Sequence, residues 1–149
     1  LRQVLADSPE NEHAVAAMAT LLMSTGQVRA CLRRLEWLHE RYPLSPNLQF
    51  RRVYTLWSAG QAAEMDQTAD RALQSWPKHP AVWFARFWTL AFTGRAAAAQ
   101  AMFADGAIRP PLPPPVVQLF EQSLRALNKG STDDVRAAIS ANYEAAIRG

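Results

Sequence analysis

The sequence predicts an all-α protein made of helical hairpins strung in tandem. Glycine recurs every 34 residues, at Gly26, Gly60 and Gly94, and proline keeps the same step at Pro9, Pro43, Pro77 and Pro111. Each of these glycines is followed 17 residues later by its proline. Between these marks the apolar residues recur at spacings of three and four, the period of a helix face, and no strand pattern competes. Turn and stop residues locked to one period are the sign of a repeat array, in which each unit hides its apolar face only by stacking on its neighbours.

Taken in order, residues 1–6 carry Val4 and Leu5 and stop at Ser8-Pro9, as the tail of a helix begun upstream does. Residues 12–25 place Val15, Met18, Ala19 and Leu22 on one face, and Gly26 ends the run. Residues 28–42 form the return helix, with Cys31, Leu35 and Leu38 inward, Arg33, Arg34, Glu36 and Glu40 outward, and Pro43 as the stop. The second pair repeats this plan. Ser45 caps a helix over 46–59 with Pro46 in its first position, where a missing N–H costs nothing. Gly60 turns the chain into 62–76, which Pro77 ends. The third pair runs from Pro80 to the Thr93-Gly94 turn and back over 96–108.

The proline cluster at 110–115 lies between two helical patterns and reads as a stiff connector in preference to a polyproline ligand. A helix over 116–127 and Gly130 follow. Ser131 or Thr132 then caps a last helix, with Asp133 and Asp134 at the positive end of its dipole. Val135, Ile139, Tyr143 and Ile147 share one face of that helix.

The chain has 149 residues, 49% hydrophobic and 19% charged, the makeup of an ordered domain and not of a disordered tail. Its net charge is +3, but the basic residues are scattered, with only Arg33-Arg34 and Arg51-Arg52 adjacent. The basic stripe that nucleic acid requires is missing, so nucleic acid is not an expected partner. Cys31 is the single cysteine, which excludes a disulfide framework and favours a cytoplasmic compartment. No apolar run approaches the roughly 18 residues of a membrane span. The opening at Leu1, without a Met and in mid-helix, reads as a fragment of a longer protein.

In these features the chain resembles the tetratricopeptide repeat family, whose unit is a helix–turn–helix of the same length. The resemblance spans nearly the whole chain. Val15, Met18, Ala19, Leu22, Cys31, Leu38 and Pro43 match the family's apolar, small and closing positions in repeat 12–45. Val53, Leu56, Ala72 and Pro77 do so in 46–79, and Trp83, Leu90, Gly94, Ala99 and Pro111 in 80–113. A degenerate fourth unit, 116–149, is shifted two residues by the proline insertion. Gln49, Arg52, Arg86 and Phe87 stand where the family carries apolar or small residues. The two arginines, one period apart, are therefore expected to disturb packing in the second and third pairs. The resemblance implies a single helical-hairpin solenoid over 1–149, coiled as a right-handed superhelix and working as a protein-interaction scaffold.

No catalytic set converges in this sequence, and the segment is not expected to be an enzyme. His13, His39 and His79 fall on different elements, none at ligand spacing from a Cys or an acid, so neither a metal nor a cofactor is expected. Cys31 takes the family's small buried position and reads as core, not nucleophile.

The informative chemistry is aromatic. In the family the first helix of each pair lines a concave groove. Carrying those positions over gives His13, Ala16, Thr20 and Met23 in the first repeat, and Asn47, Phe50, Tyr54 and Trp57 in the second. The third supplies Phe84, Trp88 and Phe92, and the fourth Phe120 and Leu124. Large amphipathic rings bury much area at little entropic cost. The groove is thus expected to take an apolar or aromatic-containing peptide or helix, with Arg51, Arg52 or Arg86 pairing its acidic flanks. The competing reading makes the same rings core residues of a tightly wound array. The Lys and Asn of the family's carboxylate clamp are absent, because Ala16, Thr20, Phe50, Tyr54, Phe84 and Trp88 hold those positions.

The helix over 96–108 carries one charge, Asp105. A helix polar on neither face is normally covered, so the surface around Ala97, Gln100, Ala101 and Ala104 is expected to be occupied. The candidates are the segment that follows it, a second copy in a homo-oligomer, or another domain of the same protein. The alternative role for the whole segment is a substrate-selecting or dimerising arm of a larger enzyme, such as a glycosyltransferase or sulfotransferase.

Overall fold

The structure is a computed structural model that describes residues 11–134, 136, 137 and 139–141. The helix tail expected over 1–6, and Val135, Tyr143 and Ile147, lie outside the described residues. The described chain is all-helical: α1 Glu12–Ser24, α2 Val28–Arg41, α3 Pro46–Ser58, α4 Ala62–Ser75, α5 Pro80–Phe92, α6 Ala96–Ala104 and α7 Pro114–Lys129. The last described residues add further helical turns, for which the Ser131 hydroxyl accepts the Asp134 amide at 3.2 Å. The chain divides into two compact units, Leu1–Arg86 and Phe87–Gly149, with the boundary inside α5.

The period is written into the backbone hydrogen bonds. After α1, the Gln27 amide donates to Leu22 O and the Gly26 amide to Met23 O. After α3, Gln61 reaches Leu56 O and Gly60 reaches Trp57 O in the same way, and after α5 Arg95 reaches Leu90 O. This is the paired-bond C-cap that needs a left-handed residue, and Gly26, Gly60 and Gly94 have φ of 75°, 74° and 79°. Gly130 (φ 69°) closes α7 with the same two bonds, from Ser131 to Ala126 O and from Gly130 to Leu127 O. A Cβ at Gly60 meets nothing within 4 Å, so Gly60→Ala carries only the backbone penalty. It is expected to lower stability by about 1–2 kcal/mol in a denaturant titration.

In the first unit consecutive helices pack together, α1 on α2, α2 on α3 and α3 on α4. Asn11 caps α1 by accepting the Ala14 amide at 2.9 Å, and Ser45 caps α3 with Pro46 in the first turn. Val15 and Ala19 of α1 meet Cys31, Leu35 and Leu38 of α2 and Leu48 of α3 in one core cluster. Val53 and Leu56 of α3, Met65 and Ala69 of α4 and Ala85 of α5 make the next, with Leu32 of α2 packed against it.

Arg52 and Arg86, where disturbed packing is expected, both find partners for their guanidinium groups within this unit. Arg86 Nη1 lies 2.5 Å from Asp66 Oδ1 and Nη2 2.8 Å from Asp70 Oδ1, a fork across two successive acids of α4. Arg52 donates to Gln49 Oε1 at 3.2 Å. The buried Gln49 amide in turn donates to His39 Nδ1 at 3.1 Å and to Pro43 O at 3.4 Å, tying α3 to the end of α2. Burial lowers the His39 pKa from its ordinary value, with Arg52 adding to the effect and Glu40 opposing it, which suits an imidazole whose Nδ1 accepts.

In the second unit the core is aromatic. Phe87, which is fully buried, lies 5.2 Å from Phe120 in a stacked pair and 5.9 Å from Phe103. α6 packs on α7, burying Ala99, Met102, Phe103 and Leu124. α6 ends at Ala104 and not at Ile108, because the Asp105 carboxylate takes the Ala107 amide at 2.9 Å and turns the backbone out of the helix. Pro111 consequently follows its helix at a distance.

The described chain itself leaves uncovered the alanine surface that the sequence expects to be occupied. Ala97, Gln100, Ala101 and Ala104 are all exposed, and the buried stripe is Ala96, Ala99, Met102 and Phe103. Gln100 accepts from the Asn128 amide of α7 at 2.7 Å. Alanine's own helix propensity keeps such a face helical without charge. Ile139, on the last described turns, is 56% exposed.

Candidate peptide-binding site

A cleft of about 320 Å³ opens in the first unit, bounded by α1, α2 and α3. α1 contributes Ala19, Thr20, Met23 and Ser24, residues three to four apart and hence on one helix face. α3 contributes Phe50, Arg51, Tyr54 and Thr55, and Cys31 and Leu35 of α2 form the buried floor. The volume is at the small end of ligand sites, enough for one apolar side chain.

Phe50 and Tyr54 are a helical turn apart and meet edge to face with centroids 4.9 Å apart. Trp57 continues the row at 6.0 Å from Tyr54. Burial raises the Tyr54 phenol to a pKa of about 12, a measure of how little polar surrounding the ring has. Thr55 is buried, and its hydroxyl donates to Arg51 O at 2.8 Å and sits 3.6 Å from Cys31 Sγ, which keeps both polar atoms satisfied beneath the cleft. Arg51 lies along the cleft's edge and donates to the Thr20 hydroxyl, which itself donates to Ala16 O at 3.1 Å.

Of the residues expected to line a groove, Phe50, Tyr54, Thr20 and Met23 come together here, with Trp57 adjoining. Phe84 is half-buried against Trp83, its centroid 5.3 Å away. In the second unit Trp88 stacks on Phe92 at 5.3 Å with an interplanar angle of 17°, and Phe92 is 56% exposed. Phe120 is corrected to core: it is 7% exposed and packed among Phe87, Trp88 and Phe103. Arg52 and Arg86 are engaged elsewhere. The ion pairs and hydrogen bonds described above hold them against their own chain, leaving Arg51 as the arginine that lines the cleft.

The part played by α2 was not foreseen, since Cys31 and Leu35 read simply as core. A signal for it is nonetheless present. Ala19 occupies the position that Val53 and Phe87 fill one and two periods later, so the first pair carries a smaller side chain beside the α2 floor.

Among the described residues no group of three or more His, Cys, Asp or Glu side chains stands close enough to hold a metal ion. None of the described helices is long and apolar enough to cross a membrane. Comparison with protein families, with curated proteins and with solved structures brings no match, so the reading of this cleft rests on its own geometry.

Proposed function

We propose that the chain is a tetratricopeptide-like solenoid segment that works as a protein-interaction scaffold, taking an apolar or aromatic side chain of a peptide or helix into the cleft of its first unit. The observation that carries this reading is the cleft itself: aromatic walls from Phe50 and Tyr54 over an apolar floor, half-open and unfilled by the described chain. The recurring C-cap at Gly26, Gly60 and Gly94 supports the repeat assignment. Rigid rings lose little entropy on binding, which is why they dominate recognition surfaces. Trp88 and Phe92 offer a second aromatic face of the same kind.

The test is selection of a displayed random-peptide library on the intact chain, followed by affinity measurement on variants. Enriched peptides are expected to share an apolar or aromatic residue. Tyr54→Ala is expected to weaken them by at least about 2 kcal/mol, the scale of an aromatic hot spot. Tyr54 also packs against the core, so Thr20→Trp serves as a second variant, blocking the cleft from an exposed position with the helical circular dichroism unchanged. Peptides that bind both variants as well as the parent do not use this cleft, and the reading is then wrong.

A further inference from the structure

We infer that the cleft of the first unit selects peptides whose inserted apolar side chain is flanked by a carboxylate, with Arg51 as the receptor for that charge. The inference rests on the peptide-binding reading above and adds to it a sign of charge and a residue that reads it.

Arg51 is distinguished from the other two arginines on the same side of the hairpins. Arg86 is matched by two carboxylates, and Arg52 is held by the buried Gln49. The Arg51 side chain has one hydrogen-bond partner among the described residues, the neutral hydroxyl of Thr20, and no ion pair. A guanidinium–carboxylate contact is roughly twice as strong as a bond between neutral groups, and a carboxylate accepts both prongs of the fork. An arriving carboxylate therefore displaces Thr20 from Arg51 at a net gain.

The surrounding charge favours the same ligand. Among the described residues no acid lines the cleft. α3 and α5 contain arginines and no acid at all, and the single acid of α1 is Glu12, at its first position. The other acids of this unit among the described residues sit on the return helices, Glu36 and Glu40 on α2 and Glu64, Asp66 and Asp70 on α4. Walls as apolar as Phe50 and Tyr54 also lower the local dielectric beside Arg51, which strengthens an opposite charge and penalises a like one.

The test uses three synthetic peptides, blocked at both ends and identical except that a central Phe is flanked by Glu, by Gln or by Lys. Binding to the intact chain is read by fluorescence anisotropy at low and at physiological salt. The Glu peptide is expected to bind about tenfold more tightly than the Gln peptide, and the Lys peptide more weakly than either, with the spread narrowing as salt rises. Arg51→Gln is expected to abolish the preference, bringing the Glu peptide down to the level of the Gln peptide. Thr20→Val, which removes only the competing hydroxyl, is expected to keep the preference. Equal binding of the Glu and Gln peptides to the parent chain overturns the inference. So does an Arg51→Gln variant that weakens all three alike, or a Thr20→Val variant that loses the preference. Peptide binding that survives without charge preference leaves the cleft reading standing; binding of none of the three removes both.

Discussion

Phe87→Ala is expected to be among the most damaging single changes in this chain, costing about 3–5 kcal/mol of stability. The Phe87 ring is fully buried and is held by Phe120 at 5.2 Å and Phe103 at 5.9 Å, so its loss leaves a void lined by rings that cannot close on it. The position is informative because the resemblance to tetratricopeptide repeats calls for a small residue there. A substitution toward that pattern, Phe87→Gly, is expected to be worse than Phe87→Ala by about a further 1 kcal/mol, since it adds the helix penalty of glycine to the same void. Phe87→Leu, which keeps most of the volume, is expected to lose less than half as much as Phe87→Ala. Denaturant unfolding monitored by circular dichroism checks all three. A Phe87→Ala midpoint close to that of the parent chain means that Phe103 and Phe120 repack, and the aromatic core as described is wrong.

Arg86→Ala is expected to cost about 2–3 kcal/mol, below the loss for a fully buried pair because its partners keep some water. The Arg86 side chain is 12% exposed, whereas the Asp66 and Asp70 side chains are 32% and 51% exposed. Removing the cation leaves two carboxylates one turn apart on α4, repelling each other beside an apolar core. Arg86→Lys is expected to recover only part of the loss, because a single ammonium cannot span both acids as the planar fork does. Arg86→Leu combined with Asp66→Asn is expected to recover more than Arg86→Leu alone, since the repulsion goes with the charge. A double variant no more stable than Arg86→Leu shows instead that Arg86 acts through the packing of its stem and not through its charge.

Both positions show where a family pattern and a folded chain part company. Arg86 and Phe87 each look like faults against the repeat's usual residues. In the structure each is matched by residues distant in sequence, Arg86 by Asp66 and Asp70 and Phe87 by Phe103 and Phe120. A pattern read along one repeat cannot see such compensation, because the compensating residue lies on another helix and follows no period.

Local chemistry was legible from the residues alone. The helices, their order and their turns follow from glycine and proline placement and from apolar spacing, because a left-handed C-cap admits little but glycine and a helix face admits only its own period. The cap at Ser45 with Pro46 behind it was readable for the same reason, as was a cap at Ser131 or Thr132, of which the structure uses Ser131. The early end of α6 was missed where the Asp105 carboxylate took the Ala107 amide in place of a backbone carbonyl, a contest whose outcome depends on geometry and not on composition. Aromatic residues on the first helices were legible as a class, but their fates were not. Tertiary structure decided that Phe50 and Tyr54 wall a cleft while Phe120 fills a core, that Arg51 lines that cleft while Arg86 pairs with two acids, and that Ala97 and Ala101 face outward. Burial and pairing are properties of the volume that neighbouring helices leave, and that volume is set here by residues such as Ala19, whose smallness matters only once α2 and α3 stand beside it.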